Sequence, residues 1–87
     1  MTILVEMISE EGCKDCQAAK AQLIKLALTE NAEIRLKIHD ISSDKAVDIA
    51  IEHNLSTVPS LLIGNIALEG PGFKDSEIIN AFRKSNV

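Results

Sequence analysis

The residues most able to do chemistry are Cys13 and Cys16, the only cysteines of the chain, in Gly12-Cys13-Lys14-Asp15-Cys16. A C-x-x-C pair where a strand runs into a helix has the spacing of a dithiol that cycles through a disulfide. The first sulfur falls at the helix start, where unpaired backbone N–H groups and the helix dipole favour a thiolate. The thiolate is the attacking species, and such positions make a cysteine more acidic. The second cysteine follows about one turn later on the apolar face, so its sulfur is expected beneath the first and more buried. The pattern therefore assigns Cys13 as nucleophile and Cys16 as the thiol that resolves the mixed disulfide. Lys14 favours the Cys13 thiolate and Asp15 opposes it; both are expected in solvent, where screening limits each, and their balance stays open.

Two other accounts of the pair compete. Cysteine is also a small buried hydrophobe, which suits Cys16 but not Cys13 at an exposed helix start beside a glycine. Two thiolates at this spacing can also hold a soft ion such as Cu(I), or half of a zinc site. A closed zinc site needs four ligands, and His39 and His53 are the only histidines. His39 reads as a solvated strand residue and His53 as a cation at a helix end, neither near Cys13. No metal or other cofactor is expected.

The elements that must position the pair are legible from periodicity. Ile3 to Ile8 is a short apolar run rich in β-branched residues, the pattern of a central strand, and Glu10-Glu11-Gly12 breaks it. From Cys13 to about Thr29 the spacing is helical, with Cys16, Ala19, Leu23, Leu26 and Ala27 on one face and Lys14, Gln17, Gln22, Lys25 and Thr29 free to face water. Glu33 to His39 alternates strictly, with Ile34, Leu36 and Ile38 on one side, which predicts an edge strand with one wet face. Ser42, Ser43 and Asp44 offer helix caps ahead of Ala46, Val47, Ile49, Ala50 and Ile51 on a helical face; Asn54 is a left-handed stop, and Leu55 packs back. Pro59 precedes the apolar strand Leu61-Leu62-Ile63, and Gly64-Asn65 turns into Ile66-Ala67-Leu68 as a hairpin. After the loop Gly70-Pro71-Gly72, a last helix runs from about Asp75 to Lys84, with Ile78, Ile79 and Phe82 inward. Its acidic start and basic end both suit the helix dipole. The order is βαβαββα: an α/β layer structure of one four-stranded mixed sheet flanked by three helices, with a right-handed parallel crossover between the first two strands. Small copper carriers with a C-x-x-C follow a different order, βαββαβ.

Composition narrows the function further. The chain has 87 residues, room for a single domain over 1–87. It has two Phe, no Trp and no Tyr, so the core is aliphatic and no aromatic platform exists for stacking bases. A net charge of −4 also argues against nucleic acid, which needs a basic footprint. No apolar run approaches the length of a membrane span. Met1-Thr2-Ile3-Leu4-Val5 lacks a basic leader and meets Glu6 at once, so the expected compartment is the cytoplasm. In that reducing setting two cysteines do not serve as a permanent staple.

Taken with their order, these residues resemble the thioredoxin superfamily, which includes thioredoxins and glutaredoxins. The C-x-x-C stands at the first strand–helix junction. Thr57-Val58-Pro59-Ser60-Leu61-Leu62-Ile63 is similar to the family's proline and its following apolar strand, and the stretch from Asp40 through Ile49-Ala50 to His53-Asn54-Leu55 is similar to the helix that leads into it. The resemblance covers nearly the whole chain and implies a minimal thioredoxin-like fold. It implies that Pro59 is cis and packs against the cysteine pair, and that the Val58 backbone offers its N–H and C=O to an extended substrate segment. Alone, Pro59 would read as the start of an edge strand. The implied activity is thiol–disulfide exchange, a form of electron transport that serves cell redox homeostasis. The implied partners are a protein disulfide and a recycling reductase or low-molecular-weight thiol, met by a monomer.

The departures from the family carry information. Thioredoxins place Trp before the first cysteine and Gly-Pro within the motif; here Gly12 precedes and Lys14-Asp15 intervene. The family's buried acid, six residues before the first cysteine, is replaced by Met7, so Cys16 needs another base or solvent for its proton. Glutaredoxins carry a basic residue before the motif and an aromatic within it, whereas this chain has Glu10, Glu11 and Asp15. Carboxylates near the sulfur repel anionic glutathione, which favours a protein disulfide over a glutathione-linked, glutaredoxin-like substrate.

Overall fold

Ile3, Val5 and Met7 lie on one side of β1 (Ile3–Ser9) and are almost inaccessible, and Ile8 is buried on the other side. A strand buried on both faces belongs at the centre of a sheet. The computed structural model, which describes residues 1–85, places it there. β2 (Ile34–Asp40), β3 (Ser60–Ile63) and β4 (Ile66–Glu69) complete a sheet of order β2-β1-β3-β4. β1 runs parallel to β2 and antiparallel to β3, and β3 and β4 form the hairpin read from Gly64-Asn65. α1 (Lys14–Thr29) and α3 (Asp75–Ser85) cover the face carrying Ile3, Val5 and Met7, with Leu23, Ile78 and Phe82 at its core. α2 (Asp44–His53) covers the other, where Ala46 and Ile49 meet Ile8 and Leu62.

The helices are built as their sequences predict, with two corrections. α1 buries Cys16, Ala19, Leu23, Leu26 and Ala27, the face read from periodicity. Gln22, expected in water, is half-buried instead: its Nε2 donates to the Phe73 carbonyl at 2.8 Å and to Asp75 Oδ1 at 2.7 Å. An amide has enough donors to serve two acceptors, and these tie α1 to the start of α3. α2 starts at Ser43, whose Oγ accepts from the Ala46 N–H, and stops at left-handed Asn54, after which the Leu55 N–H donates to the Ala50 carbonyl. Of the five apolar residues assigned to its inner face, only Ala46 and Ile49 are buried and Ala50 half-buried, while Val47 is 46% and Ile51 75% exposed. Five apolar positions within six residues span too wide an arc for one sheet to cover. The flank at i and i+4 is left outside.

β2 is an edge strand, but its two sides do not divide into dry and wet. His39, read as solvated, is half-buried on the α2 side with its ring Nε2 3.1 Å from Glu6 Oε1. Ile38, read as inward, is 46% exposed. Both depart for one reason: β2 has a neighbour on one side only, so cover depends on how far each helix reaches along it.

Asp40 ends β2 and accepts from the Ser42 backbone N–H at 3.0 Å and from the Ser42 hydroxyl, fixing the turn into α2. These bonds, the hydroxyl first, hold its carboxyl below the ordinary value. A carboxylate more acidic folded than unfolded stabilises the fold above its unfolded pKa, and that contribution disappears as pH falls through the folded one. Asp40→Asn therefore flattens the acid limb of the stability–pH curve, as measured by urea unfolding at stepped pH. An unchanged limb would remove Asp40 from the acid response.

Candidate active site

β1 ends at the sheet's open edge of loops, and the chain must turn sharply to start α1. The Cys13 N–H donates to the Glu10 carbonyl at 3.2 Å, and Gly12 supplies the left-handed residue the turn needs, at φ +76°. A side chain at position 12 would find open space but a strained backbone. The glycine in front of the motif thus follows from the path of the chain.

Cys13 is the N-cap of α1. Its Sγ accepts from the Cys16 N–H at 3.0 Å, the bond an oxygen makes at an ordinary cap. Cys13 is half-buried and Cys16 is 2% exposed, as their positions predict. The two sulfurs are joined in a disulfide, with Cα atoms 5.2 Å apart. A sulfur in this place can be held as a thiolate by the helix terminus, and its buried partner lies within bonding reach.

The β1–β3 ladder brings the proline segment to the same end of the sheet. Ile8 pairs with Ser60, so the next step of that antiparallel register sets Pro59 beside Ser9, four residues before Cys13. The Val58–Pro59 bond is cis, as the resemblance implies, and Pro59 is fully buried. The loop is held from both ends: Ser60 Oγ donates to the Thr57 carbonyl at 2.6 Å, and the Pro59 carbonyl accepts from the Gly70 N–H at 2.9 Å. A Cβ on Gly70 would lie 2.9 Å from that carbonyl and 2.7 Å from the Phe73 ring, so the approach requires glycine. Among the described residues, the Val58 N–H and C=O have no backbone partner. Gly70–Pro71 is a second cis bond. Along the chain Gly70-Pro71-Gly72 reads as a plain loop, because trans is the default for X–Pro and nothing local signals otherwise.

Two hollows flank the site. One, about 260 Å³, lies between the start of α1 and the end of β2 and is lined by Cys13, Cys16, Glu10, Glu11, Lys20 and Ile38 among others. Neither Lys20 nor Ile38 stands out along the chain as a residue of the site. Their signals were present, however: Lys20 stands four residues after Cys16, and Ile38 is in register with Met7. The other, about 220 Å³, is an apolar groove between α2 and the proline loop, lined by Ile41, Val47, Ile51, Leu55 and Val58 among others. The histidines lie apart from both linings: His39 is occupied by Glu6, and His53 is half-buried in the last turn of α2. Among the described residues, no group of three or more His, Cys, Asp or Glu is arranged to hold a metal ion.

No protein-family model matches the chain, and no curated protein matches it. Solved structures do. An uncharacterized thioredoxin-like protein from Clostridium perfringens superimposes with a TM-score of 0.71 at 15% identity, over 97% of this chain and 71% of that one. Mitochondrial thioredoxin 3 from Saccharomyces cerevisiae, in its oxidized form, gives a TM-score of 0.62 at 20% identity, over 94% of this chain and 77% of that one. Thioredoxin 1 from Thermosipho africanus gives 0.57 at 19% identity, over 93% and 91%.

Proposed function

We propose that this chain, whose fold is thioredoxin-like, is a thiol–disulfide oxidoreductase that reduces protein disulfides by dithiol exchange. The observation that carries the reading is the placement of Cys13 Sγ as the helix cap, accepting the Cys16 N–H, with Cys16 buried one turn below. In the reduced protein the Cys13 thiolate attacks one sulfur of a substrate disulfide, and the other sulfur leaves as a thiolate and takes a proton. Cys16 then attacks Cys13, the second substrate sulfur leaves, and the Cys13–Cys16 disulfide remains. Two electrons pass to the substrate, and a reductase or low-molecular-weight thiol returns them to the protein.

Val58 and Pro59 are assigned to the substrate. The unpaired Val58 backbone can form strand-like hydrogen bonds to an extended segment carrying the attacked disulfide. Pro59 presents no N–H of its own beside it. The groove past Val58 accepts an aliphatic side chain of such a segment, which a small tripeptide does not supply. Glu10 and Glu11 on the other side disfavour glutathione by charge. Among the described residues no helix is long and apolar enough to cross a membrane. We place the protein in the cytoplasm, working as a monomer.

The first test is equilibration in graded thiol–disulfide buffers, with the Cys13–Cys16 bond followed by mass. A reversible two-electron transition near about −270 mV places the protein among reductants, whereas about −200 mV indicates exchange with the glutathione pool. No intramolecular disulfide at any poise would end the oxidoreductase reading. The charge argument has its own check. Replacing Glu10 and Glu11 by Gln raises the rate with glutathione disulfides by roughly three- to ten-fold at low salt, with the gain shrinking as salt is added. Equal rates would show that these carboxylates do not select the substrate.

A further inference from the structure

The second exchange step requires a proton to leave Cys16, and the side chains of the strands beneath the site offer nothing to receive it. Cys16 is 2% exposed, and Met7 beneath the site is 1% exposed and apolar. Ile38, in register with Met7 on the neighbouring strand, is apolar too. The fold supplies an open path instead. The hollow on the β2 side reaches Cys16 and, at about 260 Å³, has room for several water molecules. Its charged lining consists of Glu10 and Glu11 on the loop and Lys20 on α1.

These charges do not act equally on the two sulfurs. Glu10 and Glu11 belong to the loop directly before Cys13, which the Glu10 carbonyl ties to the Cys13 N–H, whereas Lys20 belongs to the helix that carries Cys16. Lys20 follows Cys16 by four residues in one continuous helix, which stacks the two on one face with Cβ atoms about 5–6 Å apart. Helix side chains lean toward the N-terminus, so the lysine stem reaches back over the turn that holds Cys16. Among the described residues Lys20 has no carboxylate within ion-pair distance, which leaves its charge available.

Resting on the proposed dithiol cycle, we infer that Lys20 is a positioning residue for its second step: its ammonium stabilises the Cys16 thiolate at the wall of a water-filled hollow. The Cys16 thiol gives its proton to water there, which passes it to bulk solvent. The sulfur's electron pair forms the bond to Cys13 as the Cys13–substrate bond breaks, and the substrate sulfur departs as a thiolate. The substrate disulfide is the only oxidant needed.

The experiment titrates Cys16 directly. In a Cys13→Ser background, Cys16 labelled with ¹³C at Cβ is followed by NMR against pH, with Lys20 intact, as Lys20→Met and as Lys20→Arg. Lys20→Met moves the midpoint up by roughly half a unit, about a three-fold smaller thiolate fraction at neutral pH, and Lys20→Arg returns it. Added salt narrows the gap. Coincident midpoints for Lys, Met and Arg would overturn the assignment, and so would a shift that Arg fails to restore, since that marks packing and not charge. The titration uses a protein that cannot turn over. A midpoint shift alongside an intact protein that reduces no disulfide would therefore overturn the oxidoreductase reading alone.

Discussion

Cys13→Ser reduces disulfide turnover to less than about a thousandth of the unmodified rate, because a hydroxyl at the helix cap is not ionised near neutral pH and forms no exchangeable bond to sulfur. Cys16→Ser gives a different failure. Cys13 still caps α1 and still attacks, but nothing displaces the product, and a mixed disulfide with the partner protein accumulates. The asymmetry follows from the structure. The Cys13 sulfur receives a backbone N–H at 3.0 Å and its residue is only half-buried, whereas Cys16 is 2% exposed. The measurement is turnover of a protein disulfide for each variant, with non-reducing mass analysis of covalent adducts. Adducts on Cys16 in the Cys13→Ser protein, or none on Cys13 in the Cys16→Ser protein, would reverse or remove the assigned roles.

Leu23→Ala destabilises the fold by about 3–4 kcal/mol, a large share of the roughly 5–10 kcal/mol expected for so small a domain. Leu23 is wholly inaccessible and sits midway along α1, within the cluster formed by Ile3, Val5, Ile78 and Phe82. Truncation loses apolar burial and leaves a hole that the sheet on one side and α3 on the other cannot collapse to fill. Because α1 carries both cysteines, the site loosens with the core. Urea unfolding of the oxidised protein gives the cost as a fall in midpoint at unchanged slope. Ile51→Ala, at a residue 75% exposed, changes stability by less than about 0.5 kcal/mol and serves as the reference. A Leu23→Ala cost under about 1 kcal/mol would show that the site does not depend on this core.

Local chemistry made much of this legible in the chain itself. The C-x-x-C spacing, the helical period of Cys16, Ala19, Leu23 and Leu26, the caps at Ser43 and Asn54, and the Gly64-Asn65 turn act over a few residues, so each element and the order of the sulfurs could be read before any contact was known. The cis bond at Pro59 is implied only by the resemblance, since its neighbours along the chain do not specify it.

Tertiary structure decided what depends on residues far apart in sequence. His39 is half-buried because Glu6 on the adjoining strand receives it, and Gln22 is held because Phe73 and Asp75 come to its side chain. Val47 and Ile51 are exposed because one sheet face covers only part of the apolar arc of α2. Gly70 has to be glycine because Phe73 and the Pro59 carbonyl crowd it. The hollow that brings Lys20 and Ile38 to the cysteines needs a helix face, a loop and an edge strand to meet, and no periodicity along the chain encodes that meeting. Sequence determined the spacing of the pair within one turn of helix, which sets one sulfur at the cap and the other beneath it. Packing across the sheet decided which other groups reach it.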